Sequence, residues 1–346
     1  MFLHALATAV PDTAYTQEEC WQLAQQSRLR ERLSRRSLLI LQSILRREPS
    51  VERRHFAMPE IAGVFERSAD ELNAVFRTAA PRLAGDALQR ALAAADLKPD
   101  QIDALLVCTC TGYLCPGVSS YVAEQLGLRP NAFLQDLVGL GCGAAIPTLR
   151  AANALTAANP DAVVACIAVE VCSAAFYLDD DPGVIISACL FGDGAAASLW
   201  CGRPPLHRPR LRAFDFNTVH RPEHRDQLRF EQRDGKLRNL LAPAVPSLAA
   251  AAVGELWRHR GDRPVARVVS HGGGRDVLEA LAPVLAPHDL AVSAHVLRTH
   301  GNMSSPSVLF ALAETLESGP PNGAGDFWLV SFGAGFAAHS CRLGAA

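Results

Sequence analysis

The sequence is short of most features that would declare a function early. It has no surplus of charge: 33 lysines and arginines stand against 35 aspartates and glutamates, a formal net charge of −2. That balance leaves no electrostatic footprint for DNA, RNA or an anionic membrane. No apolar run reaches the roughly 18 residues a membrane span needs. The opening stretch MFLHALATAVPDTAY has neither the basic leader nor the cleavage pattern of a secretory signal. There is no CxxC pair either. Among the ten cysteines only Cys108, Cys110 and Cys115 are closely spaced, in an apolar run and the turn after it. Without metal-ligand spacing or an export signal, the chain is expected to be cytoplasmic, metal-free and to carry free thiols.

What is present suits a large core. The chain has 346 residues, 49% hydrophobic and 20% charged, enough for two domains or one fold of double size. The three prolines of CGRPPLHRPRL mark a boundary between parts 1–201 and 202–346. The second part echoes the first. GDRPVARVVSHGGG repeats the form of LKPDQIDALLVCTCTG: a turn, a buried strand, a polar residue at its end. DFWLVSFGAGFAAHSC repeats SACLFGDGAAASLW, both read as hairpins around a glycine turn. The pattern predicts an internally duplicated α/β fold.

Between these landmarks the periodicity predicts helix over 17–45 with a solvated basic face, a long amphipathic helix over 70–96 and a helix from Val118 to Leu126. DAVVACIAVEVCSAAF reads as a strand buried on both faces, LRFEQRDGKLRNLL as a hairpin and VPSLAAAAVGELWRHR as a helix. In LRREPSVERRHF the residues Arg46, Arg47, Arg53 and Arg54 crowd around Pro49. They form either a surface cluster or a site for a phosphorylated ligand such as coenzyme A.

Three polar residues sit where α/β folds gather reacting groups, at the ends of elements. GLGCGAAIPTLRAANAL sets Cys142 between Gly141 and Gly143, after an apolar run and ahead of a helix whose first turn must hold Pro147. A thiol at a helix start is favoured as thiolate. His271 ends the strand VARVVS and opens onto a glycine run. Asn302 precedes a helix read as capped by Ser305, with Pro306 at its first position. His300 is the alternative histidine.

GLGCGAA, LFGDGAAA, SHGGGRDVLEAL, GNMSSPSVLF and SFGAGF, in this order, resemble the type III polyketide synthases, the chalcone and stilbene synthase family, in its bacterial type. The likeness runs from ERRHF through CTGYLCPG to the C-terminal end. It implies a thiolase fold, an internally duplicated αβαβα sandwich, acting as a homodimer without cofactor, metal or carrier protein. It implies that Cys142 holds an acyl group from a CoA starter as a thioester, paired with an imidazolium at His271. His271 and Asn302 would stabilise the enolate left when malonyl-CoA loses CO2.

Carried over by motif, Phe191 is a gate between the CoA tunnel and a cavity. Cys110, Thr111, Cys172, Ala175 and Ser187 line that cavity, and Cys115 lies in a loop that crosses the dimer. The basic residues that bind CoA in plant members are not reproduced position by position, and Arg46 and Arg47 are the nearest substitutes. The sequence departs from the family in three further places. No aromatic stands at the second gate near Asn239, Ala334 replaces a proline in SFGAG, and Ala175 replaces the threonine usual in chalcone synthases. Small apolar walls and a wide entrance lead to the expectation of a fatty acyl starter, extended to alkylpyrones or alkylresorcinols. An initiating ketoacyl synthase would share Cys, His and Asn but show HQAN where HGGG stands. A thiolase would need a second catalytic cysteine, and Cys341 lies in the wrong motif.

Overall fold

The computed structural model describes residues 1–346 apart from 47–49, 59, 207, 208, 318, 320–324 and 346. Among the described residues run thirteen strands and eleven α-helices. Strand β1 (Phe2–Ala9) and the short β2 (Ala14–Thr16) lead into α1 (Gln17–Gln26), which opens on a capping box between Thr16 and Glu19. Then come α2 (Leu29–Arg32) and α3 (Arg35–Arg46), so the helical stretch expected over 17–45 is in three pieces. It breaks at Ser34 because that N–H is donated to Asp180 at 2.7 Å instead of to a preceding turn. Strand β3 (Arg53–His55) pairs with β2.

Helix α4 (Ala69–Ala95) starts at a Ser68–Glu71 capping box and stops at Asp96 in the left-handed region. Leu72, Phe76, Leu83, Leu88 and Leu92 recur along its buried face. Next are β4 (Ala104–Cys108), α5 (Val118–Leu126), β5 (Phe133–Leu137), α6 (Ala145–Ala158) and β6 (Val164–Glu170). Then follow α7 (Pro182–Leu190), β7 (Gly194–Cys201), β8 (Leu211–His220), β9 (Leu228–Arg233) and β10 (Lys236–Leu241). The chain closes with α8 (Val245–Arg258), β11 (Val265–Ser270), α9 (Arg275–Leu285), α10 (Ala291–His300), α11 (Ser307–Glu317), β12 (Asp326–Gly333) and β13 (Ala337–Ala345).

Nine strands form one sheet in the order β11-β12-β13-β8-β1-β7-β6-β4-β5. Its two arms meet at β1 and β8, which share the one register pair Phe2 with Arg212. Alternation of side chains across each strand separates two faces. Leu106, Cys108, Cys166 and Ala168 face inward onto α6 and α11, while Leu105, Val107, Ile167 and Val169 face outward onto α4 and α5. On the other arm Phe327 and Leu329 face the same two central helices, and Trp328 and Val330 face α8 and α9. The order of layers is therefore helix, sheet, helix, sheet, helix: a thiolase fold. Leu105 and Leu106 are wholly buried, each worth roughly 1.5–3 kcal/mol relative to exposure.

Two local expectations are corrected. SACLFGDGAAASLW is not a hairpin but the end of α7 followed by β7. Asp181 accepts from the N–H groups of Gly183 and Val184, and Pro182 fits the first helical position, so the apolar run VIISACL is started as a helix. Ser305 does not cap α11. Its hydroxyl is donated to Glu170 at 2.6 Å.

Candidate active site

The chain leaves β5 and enters α6 through a 3-10 turn, Gly141–Gly143, with Cys142 at its centre. Gly141 has φ +55°, and a Cβ there would lie 3.1 Å from the backbone nitrogen of Ala334. The far side of the turn is just as close. A Cβ on Gly333 would come within 2.9 Å of the Cys142 nitrogen, and Ser331 Oγ donates to the Gly143 carbonyl at 2.9 Å. The SFGAG turn between β12 and β13, from the second arm, thus clasps the cysteine turn of the first.

His271 follows β11 and is 1% exposed. Its backbone N–H is donated to the Val330 carbonyl at 2.9 Å, its ring stands edge-on to Phe332, and its Nδ1 is buried without a partner among the described residues. Asn302 lies between α10 and α11. Its Nδ2 donates to the carbonyl of Gly273 at 2.7 Å, and its Oδ1 accepts the N–H of Ser304 at 2.7 Å. The two bonds fix which way the amide faces and leave one Nδ2–H uncommitted. The HGGG run therefore does more than open space, since Gly273 ties the histidine loop to the asparagine. Ser304 Oγ then donates to Cys142 Sγ at 3.2 Å. Through Ser304 the structure joins Asn302 to Cys142, and through Gly273 it joins Asn302 to the loop that follows His271.

Two members of this network escaped sequence reasoning. Ser304 also meets Cys110 Sγ at 3.2 Å, and Cys110 donates to Glu170 at 3.3 Å. Glu170, wholly buried at the end of β6, accepts from Thr109 and Ser305 hydroxyls, from the Cys110 and Thr111 amides, and from the Thr111 hydroxyl at 2.8 Å. A lone carboxylate closing the apolar run VACIAVE was the available signal, because a buried charge must be met by donors.

Burial dominates the electrostatics. It pushes the Cys142 thiol up to about 12, against the Ser304 hydrogen bond that pulls it down, and it lowers the His271 imidazole to about 4. Burial likewise raises the Glu170 carboxyl. Desolvation thus favours the neutral form of each group on its own, against the thiolate–imidazolium pair that the family resemblance implies.

Thr111, Cys172, Ala175, Ser187 and Phe191 share one cavity with Phe176, Tyr177, Val184, Ala188, Phe230 and Asn239. Cys110 is not among its lining residues; it belongs to the Ser304–Glu170 chain. The cavity offers about 20 Å³, scarcely room for one water. Asn239 does not leave the entrance wide, because its cross-strand partner Phe230 occupies the same wall. Arg46 is exposed at the end of α3 and pairs with Glu18 at 3.4 Å, and Arg47 lies outside the described residues. Arg54 is no surface cation. It is 3% exposed and donates to the carbonyls of Ala188 and Phe191, holding the end of α7. His300 packs between His55 and Phe310. Cys115 is exposed and Cys341 is buried. Among the described residues no cluster of His, Cys, Asp or Glu has the arrangement of a metal site, and no helix is long and apolar enough to cross a membrane.

Comparison with known proteins places this geometry in context. The family profile described as FAE1/Type III polyketide synthase-like protein matches residues 11–222. A 3,5-dihydroxyphenylacetyl-CoA synthase of Streptomyces toyocaensis is 29% identical over 78% of this chain and 74% of its own. A 1,3,6,8-tetrahydroxynaphthalene synthase of Streptomyces griseus is 26% identical over 96% and 89%. The crystal structure of the 1,3,6,8-tetrahydroxynaphthalene synthase of Streptomyces coelicolor superposes with a TM-score of 0.86 at 25% identity, covering 100% of this chain and 99% of that one. A polyketide synthase of the brown alga Ectocarpus siliculosus gives 0.89 at 25%, covering 99% and 98%.

Proposed function

The chain belongs to the type III polyketide synthases, and from that premise we propose that Cys142, His271 and Asn302 perform the condensation on a small CoA starter. Cys142 Sγ passes its proton to His271 as it attacks the starter's thioester carbonyl. The CoA leaves as its thiolate and the acyl group stays on sulfur, while the proton remains on His271 Nε2. Malonyl-CoA then loses CO2, and the electron pair of the broken bond becomes an enolate. His271 Nε2–H and the uncommitted Asn302 Nδ2–H stabilise the enolate oxygen. The enolate carbon attacks the Cys142 thioester, a C–C bond forms, the C–S bond breaks, and the chain returns to CoA two carbons longer. No redox or metal chemistry enters these steps. The observation that carries this reading is the hydrogen-bond chain from Gly273 through Asn302 and Ser304 to Cys142.

The small starter rests on the cavity. With Phe176, Tyr177, Phe191 and Phe230 in its walls, it suits a short starter and closure to an aromatic ring better than a long acyl chain. The similar proteins named as tetrahydroxynaphthalene and dihydroxyphenylacetyl-CoA synthases support that choice. The short walls at Cys172, Ala175 and Ala188 favour the second reading, a fatty acyl starter giving alkylpyrones or alkylresorcinols. A homodimer belongs to the same proposal. Tyr113, Phe133 and Val138 are 75%, 50% and 53% exposed beside the edge strand β5, an apolar strip with Cys115 in its loop. Arg46 is the described residue assigned to CoA.

Malonyl-CoA is supplied alone, then with acetyl-CoA or dodecanoyl-CoA, and CO2 and products are followed by mass spectrometry. The expected result is CO2 release with every mixture and catalytic efficiency falling from acetyl to dodecanoyl. A rising efficiency favours the fatty acyl reading. Arrest after one extension favours an initiating ketoacyl synthase, and no CO2 at all overturns the synthase reading.

A further inference from the structure

One wall of the cavity stands apart from the layered core. Strands β9 and β10 pair only with each other, as a separate two-stranded sheet. Phe230 and Asn239 face each other across this hairpin and both line the cavity. The next register pair, Glu231 with Arg238, must point to the opposite face.

There Arg238 is the centre of an ion cluster. Its side chain is 13% exposed; Nε donates to Asp179 at 2.8 Å, Nη1 donates to Glu231 at 2.9 Å, and Nη2 lies 3.7 Å from Asp181. Arg233 approaches Asp179 at 3.8 Å, and Arg229 donates to Glu231 at 2.8 Å. Asp181 is also the cap of α7, the helix that contributes Val184, Ser187 and Ala188 to the facing wall and ends at Phe191. Hairpin and helix meet closely here, since a Cβ on Gly183 would fall 2.2 Å from the Leu241 carbonyl oxygen.

We propose that Arg238 is a positioning residue for the cavity: by tying the β9–β10 hairpin to the start of α7 it sets the spacing of the two walls, and so the acyl length accepted. This rests on the synthase reading of the cavity. The guanidinium serves several carboxylates at once. Without it Asp179 keeps Arg233 at 3.8 Å and Glu231 keeps Arg229, but the close ties from Nε to Asp179 and from Nη2 to Asp181 are lost, and repulsion among the three carboxylates loosens the hairpin. A lysine at this position keeps the charge but not the fork that reaches separate partners.

The test compares wild type with Arg238→Met, Arg238→Lys and Asp179→Asn. Arg238→Met should raise the ratio of kcat/KM for octanoyl-CoA over acetyl-CoA by about tenfold, the scale of a pocket's discrimination by size. Malonyl-CoA decarboxylation should stay within about twofold of wild type, because the enolate donors are untouched. Arg238→Lys should restore part of the preference. Hydrogen exchange over residues 228–241 should quicken in Arg238→Met, a readout independent of turnover. An unchanged ratio and unchanged exchange in Arg238→Met, or in Asp179→Asn should the former not fold, overturn the proposal. A wild type without condensation overturns the synthase reading instead, and the exchange experiment still decides whether Arg238 anchors the hairpin.

Discussion

The two helices of the central layer, α6 and α11, are buried among the same apolar side chains, yet the chain enters them in opposite ways. It enters α6 through three residues, Gly141, Cys142 and Gly143, with one reactive side chain and backbone that tolerates close contact on both sides. It enters α11 through a polar loop in which Asn302 reaches Gly273, Ser304 reaches Cys142 and Ser305 reaches Glu170. On the proposed reading one entry holds the nucleophile and no donor side chain, and the other holds the donors. The site exists only where the two arms of the duplicated fold meet. A change at one entry should therefore spare the partial reaction run by the other.

The most severe way to break the comparison is Cys142→Ala. Chain extension should disappear altogether, while malonyl-CoA is still decarboxylated to acetyl-CoA. Asn302→Ala should do the reverse, slowing decarboxylation by about 10²–10³-fold, the usual worth of one preorganised donor. Starter loading onto Cys142 should suffer far less. Equal loss of both partial reactions in both variants, followed by CO2 release and acyl-enzyme formation, would end the division of labour.

A gentler test sharpens the account of burial around the second entry. His300, two residues before Asn302, is lowered from 6.5 to about 4 by burial first, then by the nearby His55 and His295. Its folded pKa lies below its unfolded one, so its contribution to stability is complete above pH 6.5 and is lost as pH falls toward 4. In denaturant titrations between those limits, His300→Asn should lose less stability than wild type, by on the order of 3 kcal/mol. Parallel acid slopes would show that His300 is not the group being charged.

How much of this was legible in the sequence follows from the range of each interaction. The cysteine turn, α4 and α5 announce themselves through glycines, caps and periodicity, all local. His271 and Asn302 could be picked out because each ends an element. Glu170, by contrast, collects donors from residues 109–111 and from Ser305, a meeting only the sheet order produces. Phe230 enters the cavity wall through its cross-strand partner, so reading position 239 alone suggested an open gate. Arg54 reads in the sequence as part of a surface cluster or of a phosphate site, and only the fold shows β3 carrying it beneath the end of α7. The α7 error had a local remedy in Asp181-Pro182, since a short apolar run alone does not distinguish a buried strand from a buried helix.

The claim on which the rest depends is that Cys142 carries the growing chain. It is tested most directly by quenching the wild-type enzyme during turnover with malonyl-CoA and an acyl-CoA, then locating acyl adducts by peptide mass spectrometry. The account predicts thioester-linked acyl and polyketide intermediates confined to the peptide containing Cys142. Adducts on Cys110 or Cys115 instead, or an unmodified Cys142 while product accumulates, would contradict it.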